Sequence, residues 1–272
     1  MLIAPSPYCN KETQMPQFAA NLSMMFNEHE FPARFPAAAK AGFKAVEFLF
    51  PYDYSPAEVA QWLEESHLQN ILFNLPPGDW AAGERGIAAL PGREKEFRKG
   101  VDKAIEYALA LGTPQLHMMA GIVPADGDKA AHRKTYLASM KYAAQALAKH
   151  QLNLLLEPIN TRDMPGYFLS TQAQAHELRE ECGEPNVKVQ MDFYHAQIME
   201  GDLVETFKKH FKDIAHTQIA SVPKRNEPDD GEINYEYIYK LLDEMGYQGW
   251  IGCEYRPKGK TEDGLGWLKP YL

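Results

Sequence analysis

The chain has few cysteines, no long apolar run, no surplus of basic residues and no low-complexity stretch, and each shortage excludes something. Three cysteines in 272 residues, Cys9, Cys182 and Cys253, form neither a disulfide framework nor a C-x-x-C pair, which fits a reducing compartment. No apolar stretch approaches the ~18 residues needed to cross a bilayer, and no charged segment followed by an apolar one opens the chain. The sequence therefore reads as a soluble, cytoplasmic protein with no membrane partner. Acidic residues outnumber basic ones and give a formal net charge of −9, which disfavours a nucleic-acid or anionic-lipid surface, since both reward a basic face. No linker or charge block divides the chain, and 45% hydrophobic residues suffice for one large core, so a single domain is expected. The first fourteen residues, MLIAPSPYCNKETQ, have no periodicity. They are expected to be a loosely held extension without function, leaving 15–272 as the domain.

What the chain does have is a regular alternation of short apolar runs and helical stretches. QFAANLS (17–23), KAVEFLF (44–50), NILFNL (70–75) and PQLHMMAG (114–121) read as the first four strands. LNLLLEP, VKVQMDFYH, AHTQIA and GWIGCEY supply four more. Helices are expected from FPARFPAAAKAGF to Gly42, from the Ser55-Pro56 cap through His67, over 94–111 up to Gly112, and over about 129–150. Others fall near 172–182, 201–211 and 234–245, and a short tail around Trp267 stands in for the last. Eight β-then-α units, with no G-x-G-x-x-G after the first strand, favour a closed (β/α)₈ TIM barrel over an open doubly wound sheet.

In such a barrel the active site lies at the carboxyl ends of the strands. The eight runs carry Asn21, Glu47, Asn74, His117, Glu157, Asp192, Gln218 and Glu254 there. The last four sit inside or at the end of apolar runs spaced roughly one strand and one returning helix apart. A polar group at the edge of a buried sheet needs a partner, and four together suggest a shared one. Three carboxylates and a carboxamide oxygen suit a hard or borderline divalent cation, Mg²⁺ first and Mn²⁺ second, and the lack of histidine or cysteine among the four argues against zinc. Glu157 and Glu254, on the fifth and eighth strands, would face a small substrate from two sides. One could take a proton from carbon and the other return it, which is isomerase chemistry.

Further candidates surround these four. His195, three residues past Asp192, is expected in the loop beyond the sixth strand, within reach of a substrate oxygen. His117 and His216 lie within strands as packing groups or supports for a neighbour, and Glu47, Asn74 and His117 are candidate substrate contacts from their rim positions. Lys224 and Arg225 follow Gln218, as a site for a carboxylate-bearing substrate or as a solvated charge pair. The long loop 76–93, with GDWAAGERG carrying Trp80, Glu84 and Arg85, is a candidate lid or a contact between copies of the chain, and Arg85 a candidate substrate ligand. PDDGEINY (228–235) reads as a turn followed by the helix cap Asn234.

Together, FAANLSMMF, GFKAVEFLFPYDY, NLPPGDWAAGERGIAALPGRE, LLEPIN, MDFYHAQIMEG, HTQIA, PDDGEINY and GYQGWIGCEYRP closely resemble the hydroxypyruvate isomerase family of xylose isomerase-like barrels, from about Met15 to the C-terminus. The resemblance implies that Glu157, Asp192, Gln218 and Glu254 are metal ligands and that Glu157 and Glu254 are the acid/base pair. It implies interconversion of hydroxypyruvate and tartronate semialdehyde, a small hydroxy-oxo acid reaction. A sister group isomerises four-carbon 2-oxo-tetronates; PDDGEINY is similar to theirs, whereas GDWAAGERG and EPIN are nearer the hydroxypyruvate enzymes. Two other classes fit less well. A zinc-dependent endonuclease on this barrel needs a histidine-rich cluster and a basic surface, and a non-catalytic sugar-acid sensor would have little reason to keep all four ligand positions.

Overall fold

The computed structural model describes residues 16–272, so the fourteen-residue extension and Cys9 lie outside the described residues. Eight parallel strands close in sequence order into one barrel. They are β1 Gln17–Asn21, β2 Ala45–Glu47, β3 Gln69–Asn74, β4 Gln115–His117, β5 Asn153–Leu156, β6 Val187–Asp192, β7 Ile214–Ile219 and β8 Trp250–Cys253. Around them stand α1 Phe31–Lys40, α2 Pro56–Glu65, α3 Glu94–Leu111, α4 Lys129–Ala148, α5 Gln172–Cys182, α6 Phe193–Met199, α7 Leu203–His210 and α8 Tyr235–Glu244. A 3₁₀ segment, Thr261–Tyr271, closes the chain where the tail around Trp267 was expected. Among the described residues, no helix is long and apolar enough to cross a membrane.

The helix boundaries follow from local chemistry. Ser55 and Glu58 form a capping box ahead of Pro56, which satisfies donors that the first turn of α2 leaves free. Thr171 and Asn234 cap α5 and α8 through their side chains. Gly112 stops α3 at φ 66, a left-handed conformation that costs a residue with a Cβ about 1–2 kcal/mol.

Three expectations are corrected. The second strand was read over 44–50, but β2 stops at Glu47, past which the chain leaves regular strand geometry. The fourth strand was read over 114–121, but β4 keeps three residues, because Ala120 leaves the barrel wall to bridge Gly86 of the 76–93 loop. The stretch after β6 was read as a loop before a helix at 201–211. Instead α6 grows straight from the strand end, its first turn capped by Asp192 Oδ1, which accepts from the Tyr194 N–H at 2.7 Å. His195 therefore sits on a helix.

The outer faces of the strands and the helices enclose a large apolar layer that includes Phe35, Phe73, Tyr136, Phe193 and Phe207. A smaller cluster of Ala19, Ala45, Ile71, Leu72 and Leu155 packs separately. Side chains alternate along a strand, so the residue two positions past Ala19, Ala45, Leu72 or Leu155 shares its face. Those residues are Asn21, Glu47, Asn74 and Glu157, all buried. An apolar plug thus carries a polar layer at the carboxyl end of the barrel.

Outside the barrel, the His176 ring of α5 stacks on that of His210 of α7, with centroids 3.7 Å apart and planes 11° from parallel. His176 is buried, and neither ring nitrogen has a partner. Burial, His210, Arg179 and Lys209 together lower its pKa to about 3. Below its ordinary value near 6.5 the unfolded chain takes up a proton that the folded chain refuses, so stability falls as pH drops through that window. Wild-type protein should lose about 1–2 kcal/mol more than the His176→Leu variant between pH 8 and pH 5. In thermal melts this is a differential shift of roughly 2–8 °C; equal losses would show that the stack does not titrate.

Candidate active site

The polar layer converges on one point. Glu157 and Glu254 are the first residues past β5 and β8, and Asp192 is the last of β6. One ligand atom from each of Glu157, Asp192, His195 and Glu254 lies within 4.8 Å of the others, and all four residues are buried. Glu157 Oε1 and Asp192 Oδ2 have no hydrogen-bond partner. Burial, reinforced by Glu254 and Asp192, pushes the Glu157 carboxyl well above its ordinary range. Burial likewise raises Asp192 to about 6 and Glu254 to about 8, although Arg225 opposes both. Orphaned oxygens and mutual repulsion among buried carboxylates are what a divalent cation relieves, so the donor set fits a metal.

Arg225 is the one permanent cation in this group among the described residues. Its Nη2 donates to Glu254 Oε2 at 2.5 Å and lies 3.7 Å from Asp192 Oδ2, while Nη1 is 3.8 Å from Asp163. Its guanidinium rests over the Tyr194 ring, 5.0 Å from the centroid. To aim inward, Arg225 takes φ 58, a conformation costing about 1–2 kcal/mol outside glycine. Hydrogen bonds from Arg225 N to Ser221 O and from Arg256 N to Arg225 O hold it there. Lys224, its neighbour, is exposed and forms no ion pair among the described residues, so only one of the two basic residues reaches the carboxylates.

The tautomer of His195 follows from its closest contact, since Arg225 Nη2 also lies 3.4 Å from Nε2, farther than Asn160 Nδ2 lies from Nδ1. Asn160 Oδ1 accepts from the Asp163 N–H, so its Nδ2 faces His195 Nδ1 at 2.6 Å and Asp163 Oδ2 at 3.1 Å. The Asn160 backbone N–H also points at Nδ1, from 3.3 Å. With Nδ1 accepting, the ring carries its proton on Nε2, which lies 3.5 Å from Asp192 Oδ2 and 4.0 Å from Glu157 Oε1. Burial and Arg225 push its pKa well below the ordinary range, so the ring is neutral. It is a hydrogen-bond donor aimed at the carboxylates.

The remaining candidates divide. His117 Nδ1 lies 3.4 Å from Glu157 Oε2 and 3.1 Å from Asn74 Oδ1, so His117 and Asn74 form a support beneath Glu157. Glu47 faces Asn21, His216 and Gln218. Gln218 is the ladder partner of Asp192 and so shares its face; its Nε2 donates to Glu47 at 2.7 Å. Arg85 stacks on the half-exposed Trp80 ring at 3.9 Å and donates to the Trp80 and Glu84 carbonyls. Among the described contacts it has none with the carboxylates. Its loop is pinned at Glu84, which accepts from the Asp79 N–H and pairs with Arg93 at 2.5 Å. The reading from sequence gave no role to Asn160, Asp163, Tyr194 or Gln190. The EPIN run placed Asn160 just past Glu157, but nothing local tied it to a histidine 35 positions away.

The family assignment follows from residues 35–271, which match the Xylose isomerase-like TIM barrel family. The chain belongs to this family. Among its relatives, the 2-oxo-tetronate isomerase of Cupriavidus necator is 56% identical over 258 residues, covering 95% of this chain and 99% of the relative. The hydroxypyruvate isomerase of Escherichia coli is 49% identical over 257 residues, covering 94% and 100%. A Brucella melitensis crystal structure described as an AP endonuclease of family 2 superposes with a TM-score of 0.93 at 54% identity, covering 94% of this chain and 99% of that one. This xylose isomerase-like barrel should gain stability from a divalent ion. Mn²⁺ or Mg²⁺ at about 100 times its dissociation constant should add about 2.7 kcal/mol, roughly 5–10 °C in the melting temperature. A chelator should reverse the shift, and Asp192→Asn, which keeps the α6 cap, should abolish most of it. An unshifted melt at saturating ion would rule the site out.

Proposed function

We propose that the protein is a hydroxypyruvate isomerase that uses a divalent metal, Mg²⁺ or Mn²⁺, held by Glu157, Asp192, Gln218 and Glu254. The observation that carries this reading is the pair of buried glutamates, brought from strands three places apart in the ring to one cluster with oxygens within 4.8 Å. The relative from E. coli supports it. A bound divalent cation supplies positive charge that polarises a carbonyl and steadies the negative charge developing on the substrate oxygens.

The chain's own groups supply the rest. One of the two glutamates removes a proton from the hydroxyl-bearing C3 of hydroxypyruvate, and the resulting enediolate is reprotonated at C2 while the C3 hydroxyl gives up its proton and the C2 oxygen takes one up, giving tartronate semialdehyde. Burial pushes both carboxyls above their ordinary range and a bound cation would bring them back down, so that one can take a proton and the other return it. The Nε2–H of His195 donates to a substrate oxygen, with Asn160 fixing the tautomer that makes this available. Arg225 balances charge at Glu254 and offers its remaining N–H groups to the substrate carboxylate. The reaction needs no redox partner, because a hydrogen and an electron pair only change places between adjacent carbons.

A second reading, isomerisation of four-carbon 2-oxo-tetronates, is favoured by the 56% relative of that name. The two differ by one hydroxymethyl-sized unit beyond the reacting carbons, so kcat/KM measured side by side on hydroxypyruvate and 2-oxo-tetronates decides between them. On the preferred substrate, Glu157→Gln and Glu254→Gln should each lower turnover by about 10²–10⁴-fold with the fold retained by circular dichroism. In deuterium oxide the wild type should place deuterium on the product carbon. Undiminished turnover in either variant would refute the acid/base assignment.

A further inference from the structure

Beside the carboxylates lies a fourth buried acid that the reaction does not use. Glu47, at the end of β2, is 1% exposed. Its Oε1 accepts from Asn21 Nδ2 at 2.9 Å and from Gln218 Nε2 at 2.7 Å, and its Oε2 faces His216 Nε2 at 2.7 Å. Strand β8 leaves room for it, since a Cβ on Gly252 would overlap the carboxylate.

Three groups converge on Glu47 and each of its oxygens is engaged, so it acts first on its neighbours. Its clearest effect is on Gln218. A carboxamide has a donor end and an acceptor end of nearly the same shape, and only its partners decide which way round it sits. With Nε2 committed to Glu47, the Gln218 oxygen is turned the other way, where it accepts from Gln190 Nε2 at 2.5 Å. A carbonyl oxygen has two lone pairs, so one remains. The sequence Glu47, Gln218, Gln190 is a hydrogen-bond chain with one direction, and the carboxylate sets that direction. Asn21 extends the same control by donating to Glu254 Oε1 at 3.3 Å.

We infer that Glu47 is a positioning residue: it fixes the amide of Gln218 so that oxygen, and not the NH₂ group, is offered to a divalent cation. This rests on the metal-dependent reading above. A reversed amide would turn its N–H hydrogens toward the cation and repel it. Gly252 is part of the same device, because it leaves space for the acid.

The test is Mn²⁺ binding by titration calorimetry to the intact protein and three variants. Glu47→Gln and Gly252→Ala should each weaken Mn²⁺ affinity by about 10–100-fold, with metal-free melting curves recording whether the fold survives. The exchange Glu47→Gln with Gln218→Glu restores a donor facing an acceptor and replaces the reversible amide by a carboxylate, whose two oxygens are equivalent. It should bind Mn²⁺ at least as tightly as wild type. Wild-type affinity in Glu47→Gln, or an exchange variant as weak as Glu47→Gln alone, would overturn the inference. If the wild type isomerises hydroxypyruvate while Glu47→Gln binds Mn²⁺ normally, only this inference falls; a wild type that binds no Mn²⁺ sinks both.

Discussion

The constraint behind this structure is the cost of gathering carboxylates away from water. Three acids that end up within 4.8 Å of one another, all buried, would each prefer to be protonated or hydrated. The barrel tolerates them because it surrounds them with donors. Arg225 lies against Glu254, His117 beneath Glu157, the Nε2–H of His195 between Glu157 and Asp192, and Asn21 between Glu47 and Glu254. The compensation is incomplete, since Glu157 Oε1 and Asp192 Oδ2 remain without partners. That shortfall makes the site receptive to a cation and to a substrate with polarised oxygens. A fully satisfied network would be more stable and chemically inert.

The same constraint explains the distribution of small residues. Ala19 and Ala45 two positions below Asn21 and Glu47, together with Gly252 below Glu254, thin the barrel wall where the acids need room. Bulk is moved outward, to the aromatic layer between strands and helices. The loops bear on the site in different ways. The one after β7 brings Arg225 inward through an unfavourable backbone angle, whereas the one after β3 is tied down by Glu84 and Arg93 and carries its aromatic and basic pair near the surface.

The fold was legible in the sequence because each β-then-α unit announces itself locally. A capping serine, a closing glycine and a strand-length apolar run need no information from elsewhere in the chain. The rim residues were legible for the same reason, as polar groups inside apolar runs. What escaped depended on contacts across units. Nothing in KR distinguishes Lys224 from Arg225; the left-handed backbone angle makes one buried and the other exposed. The helix Phe193–Met199 is too short for its periodicity to register, and its cap is a residue already read for another role. Asn160 and Gln190 matter through partners 35 and 28 positions distant, and no local pattern encodes such a pairing.

Asp192 serves two structures at once, and this has a consequence for what the position can hold. One oxygen is spent closing the first turn of α6, which leaves the other to face the cluster. A carboxylate divided in this way turns one oxygen, Oδ2, to the cluster without a partner. The short side chain is also tied to the axis of the helix that carries His195, so acid and imidazole travel as one rigid piece. Lengthening the side chain by a methylene would break that linkage even though the charge stayed the same, and His195 would lose its bearing on Glu157 and Asp192.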